Sequence, residues 1–264
     1  MKVYYYNNAT NENPEWSKNW GDIIAPTIIK HFSKSDKIDA TNEKVESKLV
    51  SIGSVMLAAR PNDLIWGTGC IEYNQYLPDL KRVNVFATRG PLTRTHLLHL
   101  GHSVPEVYGD PGLLYPMVYN PKVENTHEWG IIPHYMDLNN PIVKHLIDSG
   151  VKLIDICAGE REFVDQLKSV NKVISSSLHG LIAADAYGIP NARISLNGNI
   201  VGGDFKYQDY ALSVNRRYWG AIKLTKETDL TSIKLNTEID WDADKLLNNA
   251  PWNKQEYKHL FYNS

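Results

Sequence analysis

Four short turns carry the residue types that could do chemistry. In 172–190, KVISSSLHGLIAADAYGIP, a β-branched run ends in Ser175, Ser176 and Ser177, and His179 follows just where helical spacing begins. Hydroxyls beside the unpaired N–H groups of a helix start make a cradle for a phosphate or carboxylate. An imidazole with an ordinary pKa near ~6.5 beside such an anion can give or take a proton at neutral pH, which makes His179 a candidate general acid. The competing structural reading has the serines capping the helix and His179 satisfying a buried carbonyl, and the local sequence leaves both open. In ATRG (87–90), Arg89 stands before a proline-started helix, where a guanidinium can hold a carboxylate or phosphate with two parallel hydrogen bonds. NWGD (19–22) offers Asp22 as an N-cap or a base, and GTGC (67–70) offers Gly67 and Gly69 for close backbone approach.

The elements around these turns alternate. KVYYYNN, KLVSIGSVM, DLIWGTG and the start of RVNVFATRGPLTRTHLLHLG read as strands. Pro91 opens a helix that Gly101 ends, and IIAPTIIKHFS has helical spacing. VPEVYGDPGLLYP reads as another strand and a turn, and MVYNPKVENTHEW as a linker. Beyond it the alternation restarts: strands at WGIIPHY, VKLIDIC and KVISSS, helices at NPIVKHLIDSG, EREFVDQLKSV and GLIAADAYGIP. Strands alternating with helices imply parallel sheets flanked by helices, so the fold class is α/β with two Rossmann-like domains, 1–121 and 122–264, facing a cleft. In open parallel sheets ligands collect at the carboxyl ends of the strands, where all four turns fall. The terminal stretch DADKLLNNAPWNKQEYKHLFYNS is expected to form helices that pack over the domains.

Composition narrows the function. A net charge of -2 with 22% charged residues gives no basic excess for coating nucleic acid. No uninterrupted apolar run reaches the roughly eighteen residues of a membrane span, and the start MKVYYYNNAT has no signal-peptide core. A cytoplasmic protein is expected. Cys70 and Cys157 form no C-x-x-C pair. His96, His99 and His102 fall near a helix end without paired carboxylates, which favours a solvated helix over a metal site. GTGC is shorter than a dinucleotide fingerprint, and no G-x-S-x-G elbow is present.

The ordered set NWGD, WGTG, ATRGPLT, YGDPGLL, SSSLHGLIAADAYGIP and DFKYQDYALS (204–213) resembles the polysaccharide pyruvyltransferases. The resemblance implies a transferase that moves the enolpyruvyl unit of phosphoenolpyruvate onto two hydroxyls of one sugar as a cyclic ketal. It implies a fold similar to twin-Rossmann (GT-B-like) glycosyltransferases, the first domain being the acceptor side, and no metal or organic cofactor. The family's arginine and histidine map onto Arg89 and His179, and its basic segment onto Lys206, although Phe205-Lys206 inverts the family's Lys-Phe order. Arg193 stands where the family more often has an apolar residue. On this reading His179 protonates the donor, Arg89 grips phosphate or carboxylate, and Ser175, Ser176, Ser177, Lys206, Asp22, Gly67 and Gly69 line the substrates. A lipid-linked acceptor would bring the protein to the inner membrane face, with WNKQEYKHLFY as a contact segment; the alternative is that this segment packs on the domains. The other functional readings are a nucleotide-sugar-dependent glycosyltransferase with the same cleft and a carbohydrate-binding module without catalysis.

Overall fold

The computed structural model describes residues 1–7, 9–12, 14–43, 47–77, 80, 82–196 and 201–262. The first run of strands forms a parallel sheet of β1 (Lys2–Tyr4), β2 (Asp39–Thr41), β3 (Lys48–Val50), β4 (Leu64–Trp66) and β5 (Asn84–Ala87), in the order β2-β1-β3-β4-β5. The second run forms a parallel sheet of β6 (His127–Ile132), β7 (Lys152–Leu153), β8 (Val170–Ser175), β9 (Asn191–Ser195) and β10 (Ile222–Lys223), in the order β10-β9-β8-β6-β7. Renumbered within each sheet, both orders are 2-1-3-4-5. This is a doubly wound order, with one point where consecutive strands depart to opposite sides. That point lies between β1 and β3 in the first sheet and between β6 and β8 in the second.

The helices are α1 (Trp20–Ile23), α2 (Ala25–Ser33), α3 (Pro91–His99), α4 (Pro141–Asp148), α5 (Glu160–Leu167), α6 (Leu178–Ala186), α7 (Phe205–Ser213), α8 (Ala243–Asn248) and α9 (Lys258–Phe261). Proline in the first turn starts α2, α3 and α4, where its missing N–H costs no hydrogen bond. The α/β alternation expected from the sequence is present, with three differences. The segment VPEVYG gives only a single parallel bridge, Thr88 to Tyr108, because Gly109 at φ +140° and Pro111 turn the chain into a 3-10 helix at Pro111–Met117. NARIS, to which the sequence reading assigns no element, is strand β9. Asp22 caps no helix: Asn19 caps α1 by accepting from Gly21 N at 3.2 Å, and Ile24 precedes α2.

One apolar core links the two sheets. Trp20, fully buried, meets Tyr115 edge-on at 5.3 Å and Phe163 of α5 at 5.2 Å, while its backbone N–H donates to Ile156 O at 2.8 Å. The chain then returns from the second sheet to the first. Trp66 of β4 donates Nε1–H to Leu246 O of α8 at 3.1 Å and packs against Trp252, which packs in turn on Phe261. Trp252 and Phe261 are buried and Tyr257 stacks edge-on against Phe86. Trp252, Tyr257 and Phe261 of the terminal segment thus pack on side chains of the first sheet or on one another. Among the described residues no helix is long and apolar enough to cross a membrane.

Candidate active-site cleft

A cleft of about 380 Å³ is lined by residues that follow β1 and β3 of the first sheet and β6 and β8 of the second, the strands that flank the two switch points. Tyr4 and Tyr6 come from the end of β1, Ser54, Val55 and Leu57 from the loop after β3, His134 from the loop after β6, and Ser177 and His179 from the turn after β8; Asp22 and Lys206 close its sides. Ligands of doubly wound sheets sit at such points because the loops there diverge and leave a crevice at the strand ends.

The three serines divide their work. Ser175 Oγ donates to Ile132 O at 2.8 Å and accepts from Ser177 N at 3.0 Å, tying the end of β8 to β6. Ser176 Oγ donates to Asp137 Oδ2 at 2.9 Å and accepts from His134 N at 2.8 Å, fixing the loop after β6. Only Ser177, whose hydroxyl makes no side-chain cap to α6, lines the cleft. Ser175 and Ser176, expected with it as substrate-lining residues, are buried and do not line the cleft.

His179 is held on edge. Its Nε2 is buried without a hydrogen-bond partner among the described residues, 3.8 Å from Asp110 Oδ2, and the residue lines the cleft. Asp110 is fully buried and accepts from Gly112 N at 2.9 Å and from Gly53 N at 3.4 Å. The ring lies so close to α1 that a Cβ on Gly21 would stand 1.9 Å from it. That approach gives the glycine of NWGD its physical reason.

Lys206, only 8% exposed, is the cation of the cleft. Burial, followed by the positive fields of Arg89 and Arg193, lowers its pKa to about 8. Its ammonium has a distant ring partner, Tyr207 at 5.5 Å, and no hydrogen bond or ion pair among the described residues. The Asp22 carboxylate in the same cleft opposes that shift, and a bound anion would add further counter-charge.

Arg89 occupies a different place from the one expected. It is fully buried and does not line the cleft. Its guanidinium donates through Nε to Asp209 Oδ2 at 3.1 Å, and through its two terminal nitrogens to Ser54 Oγ and Cys70 O. Asp209, from α7, also accepts from Leu92 N at 2.9 Å and Thr93 N at 3.0 Å, so the anion at the start of α3 is the protein's own carboxylate. Arg89 reaches the cleft only through Ser54. Gly67 and Gly69 likewise do not line it: a Cβ on Gly67 would meet Pro111 at 2.3 Å, and one on Gly69 would meet the Arg89 guanidinium at 2.5 Å. Asp22 does line it. Arg193 stacks 3.5 Å over the Tyr207 ring and bonds Asp204 at 2.7 Å and the Tyr218 hydroxyl.

Two residues of interest escaped the sequence reading. Asp209 lies within the DFKYQDYALS segment already singled out, but nothing local pairs it with Arg89, 120 positions away. His134 follows β6 as Ser177 follows β8, and the same search of strand ends, applied to IIPHY, would have found it. His96, of the histidine series on α3, bonds Gln75 O at 2.8 Å; among the described residues no group of three or more His, Cys, Asp or Glu is disposed to hold a metal.

Two parallel sheets of the same doubly wound order, whose strand-end loops and following helices bring Lys206, His134, His179 and Ser177 to one cleft, define an α/β protein. Residues 4–198 match the model of the polysaccharide pyruvyl transferase family, and the chain belongs to that family. It is 31% identical over 166 residues to "Uncharacterized protein L143" of Acanthamoeba polyphaga mimivirus, covering 60% of this chain and 57% of that protein. It is 24% identical over 187 residues to "Succinoglycan biosynthesis protein ExoV" of Rhizobium meliloti (strain 1021), covering 66% of this chain and 55% of that protein. The match therefore spans just over half the length of each of these relatives. No solved structure matches.

Proposed function

We propose that this chain transfers the pyruvyl unit of phosphoenolpyruvate to two hydroxyls of a saccharide, forming a cyclic ketal and releasing phosphate. The observation that carries this reading is the buried Lys206, whose ammonium makes no hydrogen bond or ion pair among the described residues, in one cleft with His179 and Ser177. The donor brings a carboxylate and a phosphate, and a buried cation with hydroxyl and N–H donors at the start of α6 is suited to such charge.

His179 then delivers a proton to the methylene carbon, whose double-bond electrons form the new C–H bond and leave the adjacent carbon electrophilic. Asp110, its Oδ2 3.8 Å from His179 Nε2, is the carboxylate that faces the ring. A saccharide hydroxyl adds to that carbon and loses its proton, the C–O bond to phosphate breaks, and the second hydroxyl closes the ketal. Asp22 is the base we assign to the hydroxyls, on the strength of its position in the cleft wall. Arg89 is a positioning residue, holding Ser54 and Asp209. Tyr6 and Leu57, each 47% exposed at the cleft, suit the apolar face of a sugar, in keeping with an acceptor side on the first sheet. The two sheets with their shared strand order favour a twin-Rossmann arrangement with a boundary near residues 121–122. The name of the Rhizobium relative, a succinoglycan biosynthesis protein, favours a polysaccharide or its precursor as acceptor.

Calorimetry tests the donor without knowledge of the acceptor. Phosphoenolpyruvate is expected to bind saturably and Lys206→Met to weaken it roughly tenfold or more, as for a lost charge-assisted bond. Binding of uridine diphosphate without phosphoenolpyruvate would overturn the reading in favour of a nucleotide-sugar glycosyltransferase.

A further inference from the structure

His134 has no role in the reaction as written, yet the protein invests several contacts in it. Its backbone N–H donates to Ser176 Oγ, and Ser176 is itself fastened to Asp137. Its ring stacks on Tyr135 at 4.2 Å, and its Nδ1 accepts from Met136 N at 3.3 Å. An Nδ1 that accepts fixes the neutral tautomer with the proton on Nε2. The parallel register pairs Ile132 with Ser175, so His134 and Ser177 stand two residues past paired strand ends, on adjacent loops of one wall.

We propose that His134 is a ligand-orienting residue, a neutral imidazole whose Nε2–H donates to the same anionic group that Lys206 and Ser177 face. The proposal rests on the phosphoenolpyruvate reading for the identity of that anion, and on the geometry alone for the residue. Charge explains why a neutral donor suits the place. Lys206 is already a buried cation, and a second one beside it would raise the cost of the empty cleft. Burial, then the fields of Lys206 and His179, holds the His134 pKa down to about 4, so the ring offers a hydrogen bond without adding charge at pH 7. The second serine of SSSLH acquires a purpose on this account: it holds the loop that aims His134.

The test compares wild type, His134→Phe and His134→Gln, titrated separately with phosphoenolpyruvate and with inorganic phosphate, with thermal melting of each to verify folding. Phenylalanine keeps the stacking surface and loses the donor; glutamine can return an N–H near the Nε2 position. The expected result is roughly tenfold or greater weakening in His134→Phe and recovery to within about threefold in His134→Gln. A ¹H–¹⁵N spectrum of the wild-type imidazole at pH 7 is expected to show the neutral Nε2–H tautomer. Unchanged binding in a folded His134→Phe, or His134→Gln as weak as His134→Phe, overturns the proposal. If wild type binds phosphate but not phosphoenolpyruvate, and His134→Phe loses the phosphate, the donor assignment fails and His134 keeps its role. If wild type binds neither anion, both fail.

Discussion

The amine of Lys206 sits at 8% exposure under the fields of Arg89 and Arg193, and the folded chain carries the expense of that charge at neutral pH. Unfolded, the amine keeps its proton up to about its ordinary value of 10.5; folded, it begins to lose it at about 8. The unfolded state thus binds more protons between these values, and stability rises as the pH climbs through that window. Lys206→Met is expected to stabilise the protein at pH 7 by on the order of 2–3 kcal/mol, raising the melting temperature by several degrees. The gain should shrink from pH 8 and vanish above about 10.5. Melting curves of both proteins across pH 7–11 check this; a variant that melts with wild type at pH 7 would mean that the ammonium finds a partner in solution.

At the scale of elements, α7 joins the two halves through side chains pointing in different directions. Tyr207 donates to Ser176 O at 2.7 Å and Tyr210 to Asp185 at 2.7 Å, both in the second half, while Asp209 caps α3 and pairs with Arg89 in the first. Both members of the Arg89–Asp209 pair are fully buried, so Arg89→Ala leaves a stranded carboxylate and is expected to cost about 3–5 kcal/mol. Arg89→Lys should recover only part, because an ammonium cannot serve Asp209, Ser54 and Cys70 O from one fork. Urea denaturation of the three proteins measures both effects. The sequence announced the element starts well: Pro91, Pro141 and the serine turn before α6 carry local chemistry that does not depend on the rest of the fold. It also brought out the turn bearing His179. Which charge Arg89 would meet was not legible, because a guanidinium before a helix looks the same whether its anion is a ligand or a residue of a helix far along the chain. Ser175 and Ser176 were likewise indistinguishable from Ser177 until the loop after β6 came alongside.

For the whole molecule, the terminal segment behaves as part of the first sheet. Trp252 lies between Trp66 and Phe261 at 3% exposure, and Trp252→Ala is expected to cost about 3–5 kcal/mol although the residue is far from the cleft. A single cooperative transition, shifted down for the whole chain, is the outcome to look for by fluorescence and circular dichroism together; a shift confined to one probe would mean that the two halves melt separately. The same packing bears on how the protein is made. Synthesis at about 5–20 residues per second separates β5 from Phe261 by roughly 10–30 s, during which the first sheet has left the ribosome without the tryptophan and phenylalanine that close its core. The half of the molecule born first is finished last, and its exposed apolar face is where a chaperone would be needed in the interval.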